Sequence, residues 1–133
     1  MSGNLKIFLN DLGMVSSVGQ TNQEILERVQ AGDRSGLVLS DEFTPSNQYV
    51  GLIQYELPTI SDQFSVYNCK NNQLLLAALS QIRATVDGLI RSYGSHRVGV
   101  VLGTSTGGVR NTELAIKSVV DCGVKPNGFH YKQ

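Results

Sequence analysis

The sequence predicts an α/β layered domain, and three observations carry that prediction. Apolar residues recur at helical spacing from Asn71 to Tyr93. The short segment Val98-Gly99-Val100-Val101-Leu102 is apolar on both faces. A glycine-rich turn then leads into a further helix-patterned stretch. A strand apolar on both faces suits a central parallel strand with helices covering each side of its sheet. The length, 133 residues, fits one domain by the usual soft measure of about 100–200 residues. A chain of this size buries roughly two thirds of its unfolded surface and needs no disulfide or metal staple.

The elements follow in chain order. Leu5, Ile7 and Leu9, interleaved with Lys6 and Phe8, read as a first strand that ends at the turn residues Asn10-Asp11-Leu12-Gly13. Thr21-Asn22-Gln23-Glu24 fits a capping box, in which the threonine oxygen takes the amide at N3 while Glu24 reaches back. Ile25, Leu26 and Val29 give the following helix an apolar face, and Gly32 stops it. Residues 33–49, polar and punctuated by Gly36 and Pro45, read as loop. Ile53, Tyr55 and Leu57 alternate with Gln54 and Glu56, a half-exposed strand closed by Pro58. The long helix carries Leu75, Leu79, Ile82, Val86, Leu89 and Ile90 on one face. Leu74, Leu76 and Ala78 widen that stripe, so burial on more than one side is expected, with Gly94 as the end. A last helix is predicted from about Val109 to Cys122, stopped by Gly123. No internal repeat or low-complexity segment interrupts this order.

Composition removes several function classes. Hydrophobic residues make up 41% and charged residues 17%, the latter low against about 25% in typical domains. A disordered tail, a coiled coil and a solenoid of charged helices are thereby excluded. Eleven basic and eleven acidic residues cancel, so neither nucleic acid nor a membrane surface is expected as a partner. The longest apolar run, Leu74 to Leu79, is far short of the roughly 20 residues that span a bilayer. Residues 1–13 hold one lysine and no signal-peptide core. Cys69 and Cys122 lie far apart without metal-ligand or disulfide spacing. The expectation is a soluble, cytoplasmic protein with reduced thiols, no metal and no cofactor.

One segment is chemically suggestive: Gly103-Thr104-Ser105-Thr106-Gly107-Gly108, between the apolar strand pattern and a helix. Ligands in α/β sheets gather at such strand-to-helix turns. As a phosphate loop the turn fails. Val109 and Arg110 stand where the lysine of a nucleoside-triphosphate loop belongs, and Ser105 takes the third position of the dinucleotide fingerprint, which needs glycine. As a nucleophile elbow, Gly103-Thr104-Ser105-Thr106-Gly107 matches G-x-S-x-G, with Asp121 and His130 downstream in the hydrolase order. Geometry opposes that reading. Asp121 falls about 24 Å along the helix axis from Ser105 at 1.5 Å per residue, too far to orient a histidine beside it.

Three segments in order and spacing resemble the first third of a β-ketoacyl-acyl-carrier-protein synthase, a thiolase-fold condensing enzyme. Leu12-Gly13-Met14-Val15-Ser16-Ser17-Val18-Gly19 resembles the family's opening turn after its first strand. Leu26 and Val29-Gln30-Ala31-Gly32-Asp33-Arg34-Ser35-Gly36-Leu37 resemble its helix followed by a glycine, a basic residue and Ser-Gly. Val98 to Gly108 resembles its strand and G-T-S-x-G-G turn. The resemblance covers most of the chain and is least at residues 38–62. Asp11 departs from the family, which often has glycine there, although aspartate tolerates turn conformations.

The resemblance implies an α/β fold that is the N-terminal part of a thiolase-like fold, an incomplete mixed sheet with covering helices, spanning residues 1–133. It implies an acyltransferase: a cysteine at a helix N-terminus takes an acyl group from a carrier-protein thioester. Two histidines, supported by a lysine, then help decarboxylate the malonyl unit and stabilise the enolate and oxyanion. Implied partners are acyl carrier protein, acyl thioesters and a second subunit in a homodimer. The family's cysteine sits in an Ala-Cys-Ser/Thr turn beyond the matched segment, and no such tripeptide occurs in this sequence. No catalytic residue is therefore expected here, and the chain alone should be inactive. The acyl-pocket position carried over is Thr106, flanked by Gly107 and Gly108, whose lack of side chains allows close backbone approach. A connecting role without substrate contact is the competing expectation for that turn. A chain-length-factor-like partner subunit without catalysis, and a serine hydrolase using Ser105, are the rival functions.

The remaining cysteines and histidines read as structural. Cys69 and Cys122 are expected to pack as small apolar residues. His96 and His130 are expected at the surface. With strands of the family's sheet missing, exposed apolar surface and an open sheet edge are expected, and with them self-association.

Overall fold

The computed structural model describes residues 6–42, 46–103, 109–127 and 129. Its elements, in order, are α1 (Asn22–Gln30), β1 (Leu37–Ser40), β2 (Gln48–Gly51), a 3₁₀ turn at Asp62–Tyr67, α2 (Lys70–Tyr93), a second 3₁₀ turn at Ser95–Arg97, and α3 (Val109–Cys122). The chain divides into two compact units. One comprises Met1–Leu52 with Ala78–Val100, the other Ile53–Ala77 with Val101–Gln133. Among the described residues no helix is long and apolar enough to cross a membrane.

All three helices form where the sequence predicts them, because their signals are local. Thr21 is the N-cap of α1, and its hydroxyl oxygen accepts from the Glu24 amide at 3.2 Å. The Glu24 carboxylate reaches back one residue further than a standard capping box, accepting from the Gln20 amide at 2.8 Å. Each helix ends at a glycine in the left-handed region: Gly32 (φ 65), Gly94 (φ 82) and Gly123 (φ 70). Their amides donate to Val29, Ile90 and Val119, covering carbonyls that the helix leaves unpaired.

The strands differ from the sequence reading. The segment expected to be loop holds β1 and the start of β2, which pair antiparallel in the register Leu37↔Gly51, Val38↔Val50, Leu39↔Tyr49 and Ser40↔Gln48. The strand expected at Ile53–Leu57 lies upstream instead, at Gln48–Gly51. Ile7 to Leu9 form no strand, with Ile7 85% and Leu9 86% exposed. Val98–Leu102, expected as a covered central strand, also lacks strand pairing, and Val101 is 95% exposed. The physical reason is common to both segments. A strand is stabilised by a neighbour's ladder, and the sheet among the described residues contains only β1 and β2.

Burial is sparse. Among the described residues, the buried apolar side chains are Ile25 in the first unit and Cys69 and Ala115 in the second. Helix α2 is half-buried around much of its circumference from Asn71 to Leu79, with no fully buried residue. Its stripe is as wide as expected but less covered.

Candidate functional site

The best-defined tertiary feature is the turn from Asp11 to Gln20, within the first unit. Sequence and sterics explain its place against α2. Gly13 lies so close to the helix that a Cβ there would run into the carbonyl of Ala78, meeting its carbon at 2.9 Å. One helical turn on, the Gln81 side-chain amide donates to the Met14 carbonyl at 2.8 Å and to the Gln20 carbonyl at 3.0 Å. One turn further, the Thr85 hydroxyl donates to Asp11 Oδ2 at 2.7 Å. Ala78, Gln81 and Thr85 share a face of the helix through their spacing of three and four residues. The other oxygen of Asp11 accepts from the Leu12 amide at 2.9 Å. From α1, the Asn22 side-chain amide donates to the Leu12 carbonyl at 2.7 Å.

The tip of the turn closes on itself. Ser16 and Gly19 exchange backbone hydrogen bonds of 2.9 and 3.2 Å. The β1–β2 pair lies against the same tip. A Cβ on Gly36 would fall 2.6 Å from the carbonyl carbon of Ser17, and one on Gly51 would fall 2.8 Å from the Ser17 hydroxyl. Gly19 in turn lies under Ile25, where a Cβ would meet the isoleucine side chain at 2.9 Å. The segment Leu12–Gly19 is therefore gripped by α1, α2 and the strand pair. It can hold a backbone in place, and its groups do not form a nucleophile–base pair.

Following α1, Asp33 makes a small polar knot. Its carboxylate accepts the Ser35 amide at 2.8 Å and the Ser35 hydroxyl at 3.0 Å, with the Arg28 guanidinium 3.9 Å away. The two bonds from Ser35, amide first, hold the Asp33 carboxyl below its ordinary value of 3.8 against the opposing effect of desolvation, with a lesser contribution from the Arg28 charge. Arg28 also pairs with Glu24 at 2.8 Å, one turn back along α1.

The acyl-pocket residues expected from sequence, Thr106, Gly107 and Gly108, lie outside the described residues, as do Ser105 and His130. What flanks them is described. Gly103 stands in open space, and α3 begins at Val109. Asp121 sits in the last turn of α3, about 18 Å along the axis from Val109 at 1.5 Å per residue. It is far from the helix start at which an elbow serine would stand.

Cys69 is buried just before α2, its carbonyl accepting from the Gln73 amide at 3.1 Å, as expected of a small packing residue. Cys122 is exposed, correcting the expectation that it packs. It ends the last turn of α3 directly before Gly123, and no described element packs over it. His96 is exposed as expected, with its ring against Gly94. Among the described residues no three metal-ligating side chains gather.

The polar ties from Asn22, Gln81 and Thr85 to the turn were not read from the sequence. Gln81 and Thr85, polar residues four apart beside the apolar stripe of α2, were the available signal.

No protein-family model matches the chain, and no curated protein matches it. Among solved structures it is similar to a chain from the complex of the ketosynthase ApeO with its chain length factor ApeC, from Xenorhabdus doucetiae. The identity is 30% and the TM-score 0.75. The likeness covers 91% of this chain and 31% of that one. Its arrangement of helices and small antiparallel sheet is thus that of part of a thiolase-like, ketosynthase-type condensing fold.

Proposed function

We propose that residues 1–133 form the opening part of a β-ketoacyl-acyl-carrier-protein synthase. Such an enzyme performs the decarboxylative Claisen condensation of an acyl thioester with malonyl-carrier protein in fatty-acid or polyketide-type biosynthesis. The observation that carries this reading is the likeness over 91% of the chain to the ketosynthase complex. The three motifs quoted above support it.

On this reading the segment supplies scaffold. The turn Leu12–Gly19 is fixed on α2, and Thr106, Gly107 and Gly108 contribute to the acyl pocket. The nucleophile is not among the 133 residues, since neither Asn68-Cys69-Lys70 nor Asp121-Cys122-Gly123 is an Ala-Cys-Ser/Thr turn. The thiolate of the intact enzyme would attack the acyl thioester and expel the carrier's thiol. Loss of carbon dioxide from the malonyl unit would then generate the enolate that attacks the acyl carbonyl, breaking the acyl–cysteine thioester and releasing the cysteine thiolate. Partners would be acyl carrier protein, acyl thioesters and a second subunit.

A second reading, a chain-length-factor-like subunit without catalysis, is supported by the same likeness, because that complex contains both a ketosynthase and a chain length factor. Reading the coding sequence past Gln133 tests the proposal and separates the two. An Ala-Cys-Ser/Thr turn followed by the two histidines is the expected result. A ketosynthase-like continuation without the cysteine would favour the partner subunit, and an immediate stop codon would overturn both readings. The hydrolase alternative predicts fluorophosphonate labelling that Ser105→Ala abolishes; we expect no labelling.

A further inference from the structure

We draw no further inference here: the strongest candidate, the exposed apolar face of α3 formed by Val109, Ile116, Val119 and Val120, carries nothing because nothing in the structure shows what covers it.

Discussion

Two glycines on or against α2 make opposite predictions from the same substitution. At Gly13 a methyl group would meet the backbone of Ala78, which cannot swing aside as a side-chain tip can. Gly13→Ala is expected to destabilise by about 1–3 kcal/mol, the usual cost of overpacking. At Gly88, inside α2, the nearest atom to an added Cβ is the tip of Arg91 at 3.9 Å. Gly88→Ala is therefore expected to stabilise by about 0.5–1 kcal/mol, since glycine in a helix interior loses more freedom on folding. Urea unfolding of both variants checks the pair, and equal effects of one sign would contradict the placement of the opening turn on the helix. Asp33 adds a pH dependence. A carboxyl with a lowered folded pKa contributes stability above its unfolded pKa, near 3.8, and loses it as pH falls through the lowered value. The native chain should thus lose stability more steeply than Asp33→Asn below about pH 4, read from unfolding midpoints across that range. Of these residue-level features, the turn around Gly13 was legible as a motif. The Asp33–Ser35 knot and the reach of Thr85 to Asp11 were not, because each depends on where a side chain lands after folding.

At the scale of elements, the sequence was informative where the signal is local and silent where it is not. Thr21, Gly32, Gly94 and Gly123 bound helices by contacts within a turn of themselves, and the period of the apolar residues fills in what lies between. Strands have no such self-sufficiency. Leu37-Val38-Leu39 is a short apolar run in a polar, glycine-punctuated stretch, and only its pairing with Gln48–Gly51 makes it a strand. Val98–Leu102 has a stronger β pattern and yet no partner strand among the described residues. The capping arrangement at α1 gives a direct test. Thr21→Ala removes the acceptor for the Glu24 amide and is expected to cost about 1 kcal/mol. Thr21→Ser should restore most of the loss in the same thermal unfolding measurement. A neutral alanine variant would show that the cap contributes nothing to α1.

At the scale of the whole molecule, apolar surface is the dominant feature. Ile7, Leu9 and Val101 are almost wholly exposed, and Val120 is 76% exposed. Positive and negative charges cancel at neutral pH, so no net repulsion opposes association. We therefore expect the 133-residue chain to self-associate with rising concentration in static light scattering. A monomeric mass at high concentration would contradict this. The chain spans 31% of the ketosynthase-complex chain it resembles, so the proposed activity belongs to a larger assembly of residues than these. The site itself was legible only as an address. The sequence pointed to Thr106, Gly107 and Gly108, which lie outside the described residues, while the proposed condensation needs a cysteine and histidines in motifs that do not occur in these 133 residues. The most direct measurement is condensation by the native polypeptide that carries residues 1–133, incubated with acyl- and malonyl-carrier proteins. We expect carbon dioxide release and a 3-oxoacyl thioester from that polypeptide, and neither from residues 1–133 alone. Condensation by the 133 residues alone, or none by the native polypeptide when it holds the Ala-Cys-Ser/Thr turn, would contradict it.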